Sequence, residues 1–114
     1  MRPRFFRSQK DFRTWLERNH DTAKELWVGY YKKTSNRKGI TYREAVDEAL
    51  CFGWIDGLTK TIDEERYMQR FSPRKLRSSW SQTNIERVGE LKRLGVMTPA
   101  GLAAFERRER KPAG

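Results

Sequence analysis

A dense group of basic residues lies in the segment 70–77. Guanidinium groups form paired hydrogen bonds with phosphate or carboxylate oxygens, and an aromatic ring beside them can stack on a base or a sugar. We therefore predict an anion-binding edge at this segment, formed by Arg70, Arg74 and Lys75 with Trp80 beside it. The competing interpretation is a solvated loop with Trp80 packed in the core.

A carboxylate follows the most apolar stretch of the chain. Asp56 stands directly after that stretch and could face Arg70 or Arg74, where it would stay ionised and orient a guanidinium. Trp54 and Asn84 complete the predicted ligand-binding set, the first in the ring of a pocket and the second as an amide donor. The competing interpretation is structural, with a core tryptophan, an Asp-Gly turn and an amide that serves a helix start.

No motif in the sequence calls for a metal, a cofactor or a catalytic residue, and we predict none. The single cysteine, Cys51, excludes an internal disulfide, and no second cysteine or nearby histidine marks it as an activated nucleophile. The single histidine, His20, argues against a histidine-rich zinc site. The sequence also contains no phosphate-binding glycine loop and no paired-carboxylate motif.

The composition is that of one strongly basic folded domain. The 114 residues include four Trp, four Tyr and six Phe, which is more aromatic content than disordered chains carry. The net charge is +10, and because the segment 41–65 carries −5, the remainder carries +15. This excess fits an anionic small molecule or a nucleic acid as partner, or else a merely solvated surface. We expect no membrane insertion and a cytoplasmic location, since neither a membrane-spanning run nor a secretion signal is found.

The first half of the chain predicts two helices around one strand. Residues 8–19 have a helical apolar stripe, with Ser8 as the capping residue. Residues 26–32 are rich in strand formers and apolar throughout, which indicates a strand buried on both faces. Thr41 and Glu44 form a capping box before the second helix, whose apolar stripe continues to its end and carries that end into the core.

The second half predicts a hairpin followed by two helices. Strands at 58–62 and 67–71 flank a four-residue loop, after a turn at the Asp-Gly pair. Thr83 and Glu86 form a possible second capping box for the third helix. Thr98, followed by proline, begins a short fourth helix.

These elements predict an α+β fold, with a small, largely antiparallel sheet made of one strand plus a hairpin and packed with about four helices. We expect a single domain over residues 1–105. The charged residues 106–114 follow it as a flexible tail, because no apolar anchor lies beyond residue 105.

Several spaced segments of the chain match a known pattern. They are 27–33 (WVGYYKK), 45–57 (AVDEALCFGWIDG), 70–75, 79–81, 84–85 and 95–101. In this order they resemble the YdeI/OmpD-associated family, often labelled bacteriocin-protection proteins, over about residues 5–105. The resemblance implies a bacterial, cytoplasmic protein linked to bacteriocin resistance and outer-membrane porin expression, and it implies no particular reaction. Members commonly carry a further C-terminal helical region, which this chain is expected to lack.

Three functions fit these observations. The first is a non-enzymatic module that binds an anionic ligand or partner, tied by the resemblance to bacteriocin or envelope-stress protection. The second is sequence-tolerant nucleic-acid binding through the basic segment 70–80. The third is an enzyme acting on a small anionic substrate with Asp56 and either Arg70 or Arg74. A concave pocket ringed by the predicted residues would favour a small ligand or an enzyme, and a broad basic face would favour nucleic acid.

Overall fold

The helices and strands follow one another along the chain in the predicted order. A computed structural model describes residues 2–75 and 79–108. Its elements are α1 (Gln9–Asn19), β1 (Leu26–Tyr31), α2 (Tyr42–Cys51), β2 (Trp54–Thr61), β3 (Arg66–Pro73), α3 (Gln82–Arg93) and α4 (Pro99–Glu106). The α+β fold is therefore confirmed, with four helices and one small sheet in the described part of the chain. No helix in those ranges is long and apolar enough to cross a membrane.

The sheet is antiparallel, with strand order β1-β3-β2. The hairpin is longer than predicted, because β2 begins at Trp54 and β3 ends at Pro73. The predicted turn at Asp56 is therefore wrong, since Asp56 pairs with Phe71 inside the sheet. The Asp-Gly signal instead marks an irregularity, because the register shifts between Asp56 and Thr59.

Side-chain caps begin the helices, as their sequences indicate. Ser8 caps α1, and the reciprocal Thr41–Glu44 capping box of α2 is present. The predicted capping box at the start of α3 is wrong. The hydroxyl of Ser81 accepts from the backbone N–H of Asn84 (3.1 Å), so α3 begins two residues earlier than the Thr-based box implied.

The core forms where the end of α2 turns into β2. Leu50 and Trp54 are almost completely buried, as predicted for this apolar stretch. Gly53 joins the two elements with a positive φ of 75°, a conformation that glycine adopts without strain. Phe12 of α1 and Phe71 of β3 pack edge to face against each other in the same cluster. The turn after α2 thus fixes the start of β2, and with it the position of Asp56.

The last described residues lie against α4. This helix includes Glu106, the first residue of the predicted tail, and the guanidinium of Arg108 lies over the ring of Phe105 at 3.8 Å. The rest of that tail, 109–114, lies outside the described residues. So do residues 76–78, which include one arginine of the predicted basic segment.

Candidate anion-binding site

Arg70 and Asp56 lie on opposite faces of the sheet. Side chains alternate along a strand, and Asp56 faces Phe71, so the neighbouring Arg70 points the other way. There Arg70 Nε donates to Glu25 Oε2 at 2.7 Å. The predicted pairing of Asp56 with Arg70 is therefore wrong, and Arg70 already has a carboxylate partner on its own face.

Asp56 instead lies at the centre of a polar network, the Asp56 cluster, formed by Asp56, Tyr42, Gln69 and Tyr30. Asp56 Oδ2 accepts from the Tyr42 hydroxyl (3.1 Å) and from Gln69 Nε2 (3.3 Å). The Tyr30 hydroxyl donates to Gln69 Oε1 (3.1 Å), which satisfies the buried amide on both sides. Burial, together with the charge of Asp56, raises the pKa of Tyr30 and of Tyr42, so both hydroxyls remain donors at neutral pH.

Arg74 and Trp80 form a buried stacked pair. The guanidinium carbon of Arg74 lies 3.7 Å from the centroid of the Trp80 ring, and the two residues are 8% and 9% exposed. The backbone N–H of Arg74 donates to the Gly53 carbonyl (3.0 Å), which ties the arginine to the start of β2. Trp80 packs edge to face against Phe105 of α4. The competing prediction that Trp80 packs in the core is confirmed, and Arg74 is buried with it.

The Arg74 guanidinium is buried without a counter-ion among the described residues. Within the described chain it makes no ion pair, and its Nη1 donates only to the Ser79 carbonyl, at 3.4 Å. Burial lowers the pKa of Arg74 to about 10, and the nearby charge of Asp56 offsets only part of this effect. Arg74 Nε and Trp80 Nε1 are buried donors, and neither has a hydrogen-bond partner in residues 2–75 and 79–108. Two unsatisfied N–H groups therefore belong to one stacked pair.

The other predicted residues are dispersed. Trp54 lies in the core, where its indole N–H donates to the His20 carbonyl at 3.3 Å. Lys75 is exposed at the end of the described segment. Asn84 lies in the first turn of α3 and lines a groove between α2 and α3 that Tyr42 also lines. The fold thus brings Asp56, Arg74 and Trp80 into one region and leaves Arg70 on the opposite face of the sheet.

A second concave surface, which we call the tyrosine groove, was not predicted from the sequence. It has a volume of about 610 Å³ and lies between the end of β1, the loop before α2 and the first turn of α2. Its aromatic residues are Tyr30, Tyr31, Tyr42 and Tyr67, and its basic residues are Lys32, Lys33, Arg37 and Lys38. The available sequence signal was two short basic pairs, Lys32-Lys33 and Arg37-Lys38, in the loop between β1 and α2. The tyrosines could not be grouped in this way, because they come from three separate elements.

The described residues contain no group of three or more His, Cys, Asp or Glu side chains that could hold a metal ion. Cys51 is buried, and burial raises the pKa of its thiol to about 11. A thiol in that state is a poor nucleophile at neutral pH.

Comparison with known proteins gives a family without an assigned function. A family model described as a domain of unknown function (DUF8412) matches residues 4–104, and the chain belongs to this family. The match extends from the bridge between Arg4 and Val28 into α4. No curated protein and no solved structure matches the chain. The chemistry of the site therefore has to support any functional proposal.

Proposed function

We propose that this member of the DUF8412 family is a binding module for a small oxyanion, held by the Arg74–Trp80 pair. One observation carries the proposal: Arg74 Nε and Trp80 Nε1 are both buried, and neither has an acceptor in the part of the chain that the structure describes. Buried N–H groups in folded proteins almost always have a partner, and a buried cation normally has an anionic one. A phosphate or carboxylate group provides acceptor oxygens and a negative charge together.

The free-energy cost of burying the charged Arg74 side chain supports a role in binding. A depression of the arginine pKa to about 10 corresponds to roughly 3 kcal/mol of unfavourable free energy for the charged form. Stacking of the guanidinium on an indole returns about 1–2 kcal/mol. The charged arginine therefore costs the free protein about 1–2 kcal/mol, and a bound anion would remove that cost.

The site is not open to every anion. Both unpaired nitrogens are covered, so neighbouring side chains must move before a ligand can reach them. We therefore expect association to be slower than diffusional encounter. Asp56 is close enough to influence Arg74 electrostatically, so it would disfavour ligands with a high negative charge.

The test is a titration followed by ¹⁵N NMR at the two nitrogens themselves. Sodium phosphate and sodium acetate are expected to shift the Arg74 Nε–H and Trp80 Nε1–H signals and to slow their exchange with water. Arg74→Met should abolish both effects. Arg70→Met is the matched control, because it removes an arginine four residues away that lies on the other face and pairs with Glu25.

The same variants test whether Arg74 is structural. If the charge is a net cost, Arg74→Met raises the free energy of unfolding by about 1–2 kcal/mol while binding is lost. A decrease of about 2 kcal/mol or more would show that Arg74 stabilises the free protein. Unchanged phosphate binding by Arg74→Met would refute the site.

The other predicted functions have less support from the geometry. Nucleic-acid binding through the segment 70–80 would use Arg70, which is paired with Glu25, and Arg74, which is buried. The predicted enzymatic use of Asp56 together with Arg70 is not supported by the geometry, since the two side chains lie on opposite faces of the sheet. The link to bacteriocin protection rests on the sequence motifs alone, and we retain it as a hypothesis about the cellular role.

A further inference from the structure

We infer that the tyrosine groove binds single-stranded nucleic acid, with one base stacked on the exposed ring of Tyr42 and the phosphates on its four basic side chains. This site is separate from the Arg74–Trp80 pair, since the residues that line the groove include neither member of that pair. It also replaces the segment 70–80 as the place where the chain would contact a nucleic acid.

The charge of the groove favours a polyanion. The lining contains four basic residues and no acidic one. In the described part of the chain, none of these four takes part in an ion pair with a carboxylate; the ion pairs there involve other residues. Arg37 lies over the ring of Tyr31 at 4.9 Å, so its guanidinium is already positioned beside an aromatic wall. An unpaired cluster of this kind neutralises phosphates at little cost in broken ion pairs.

Tyr42 provides the stacking surface. It is 45% exposed, one of the few large hydrophobic residues so exposed among the described residues. Its hydroxyl donates to Asp56 at 3.1 Å, and its ring lies against Tyr30 with centroids 6.5 Å apart. The ring is therefore held in place before any ligand arrives, which lowers the ordering cost of binding. Stacking on such a ring requires the face of a base, and a duplex keeps that face buried.

The same features disfavour other polyanion surfaces. An anionic membrane would be expected to meet exposed aliphatic side chains that insert between lipids. The lining contains one aliphatic side chain of that kind, Ile40, and it is buried. An acidic protein would satisfy the basic residues but would leave the exposed face of Tyr42 without a planar partner.

The experiment measures binding of fluorescein-labelled single-stranded DNA and RNA of mixed sequence by anisotropy at several salt concentrations. If all four basic residues contact phosphates, the slope of log K against log salt is about −2.8 (0.7 per phosphate). Lys33→Ala with Lys38→Ala should reduce that slope by about 1.4. Lys10→Ala with Lys92→Ala is the charge-matched control on α1 and α3, and it should leave the slope near the wild-type value.

The stacking step has its own pair of variants. Tyr42→Ala should weaken binding about 5- to 150-fold, the range for removal of one stacked aromatic ring. Tyr42→Phe keeps the ring but loses the hydrogen bond to Asp56 that helps to hold it, so it should weaken binding much less than Tyr42→Ala does. The DNA and RNA arms show whether the 2′-hydroxyl contributes.

Three results would overturn the inference. Equal binding of inorganic polyphosphate and of the oligonucleotide would mean that no base is stacked. An equal loss of salt dependence in the control pair would mean that only the overall charge matters. Binding to phosphatidylserine vesicles without binding to either oligonucleotide would assign the groove to a membrane surface. Circular dichroism on each variant separates these results from loss of fold.

Discussion

Two helical glycines should respond to the same substitution with opposite signs. Gly101, in the first turn of α4, faces the end of α2, where an added Cβ would overlap the Cys51 carbonyl oxygen and lie 2.6 Å from its carbonyl carbon. Gly89, inside α3, would place the same Cβ no closer than 4.0 Å to any neighbouring atom, the flexible end of Arg93. Gly101→Ala therefore forces two helices apart, and Gly89→Ala only improves helix propensity.

The magnitudes follow from the contacts at each glycine. An ordinary contact distance for a Cβ is 3.4–4 Å, so α4 must move to admit the Gly101→Ala side chain. That movement also stretches the bonds from Thr98 N and Thr98 Oγ1 to the Cys51 carbonyl, at 3.1 and 2.5 Å. Overpacking costs about 1–3 kcal/mol and a weakened hydrogen bond about 1 kcal/mol, offset by almost 1 kcal/mol of helix propensity. The expected loss is about 2 kcal/mol for Gly101→Ala, against a gain of about 0.5–1 kcal/mol for Gly89→Ala.

Urea unfolding followed by tryptophan fluorescence measures both variants against the parent chain. The two free energies of unfolding should differ by about 3 kcal/mol, which corresponds to melting temperatures roughly 10 °C apart. Equal stabilities would refute the close docking of α4 on α2. A loss in Gly89→Ala as large as in Gly101→Ala would refute the argument from space at both positions.

The core, one buried ion pair and the buried thiol give three further predictions. Leu50→Ala and Trp54→Ala should each lower the free energy of unfolding by about 2–5 kcal/mol, because both side chains are buried; wild-type urea midpoints would contradict this. Arg13→Met should lower the free energy of unfolding by about 2 kcal/mol, since among the described residues it leaves the buried Glu48 carboxylate, 2.9 Å from Arg13 Nη1, with only the Gln9 amide as a partner. The double variant Arg13→Met with Glu48→Gln should recover part of this loss in the same urea assay. Burial raises the pKa of the Cys51 thiol to about 11, so its contribution to the free energy of unfolding is complete below about pH 9 and is lost as the pH rises towards 11. Over this pH range the free energy of unfolding of Cys51→Ala should fall by about 2–3 kcal/mol less than that of the parent chain. Parallel plots of stability against pH for the two proteins would contradict the raised pKa.

Local patterns predicted the helices well because their determinants are neighbours in sequence. The capping box at Thr41 and Glu44 and the cap at Ser8 each need only residues three apart. The bounds of the hairpin were harder to predict from the sequence, since the Asp-Gly pair that indicates a turn can equally mark a bulge inside a strand. Only the pairing of Asp56 with Phe71, set by the whole register of β3, decides between these.

For the candidate site, the sequence named residues but could not give their partners. Arg74, Trp80 and Asp56 were named from the basic segment and the apolar stretch before it. The partner of Arg70, Glu25, is 45 positions away in the sequence, so only the tertiary fold reveals that pair. The tyrosine groove was missed for a similar reason, because three of its tyrosines occupy ordinary strand positions in the sequence pattern.

The buried polar groups together make Arg74 distinctive. Three polar or charged residues are buried in the described chain. Glu48 accepts from Gln9 and Arg13, and Gln69 accepts from Tyr30 and donates to Asp56, so two of the three are satisfied by side chains from other elements. For Glu48 and Gln69, the fold itself therefore supplies the hydrogen-bond partners. Among the described residues, Arg74 is the one of these three with an unpaired nitrogen, and its stacking partner Trp80 has another. Folding stability alone would favour an apolar side chain at that position, and this is the reason for proposing an external anion as the partner of the guanidinium.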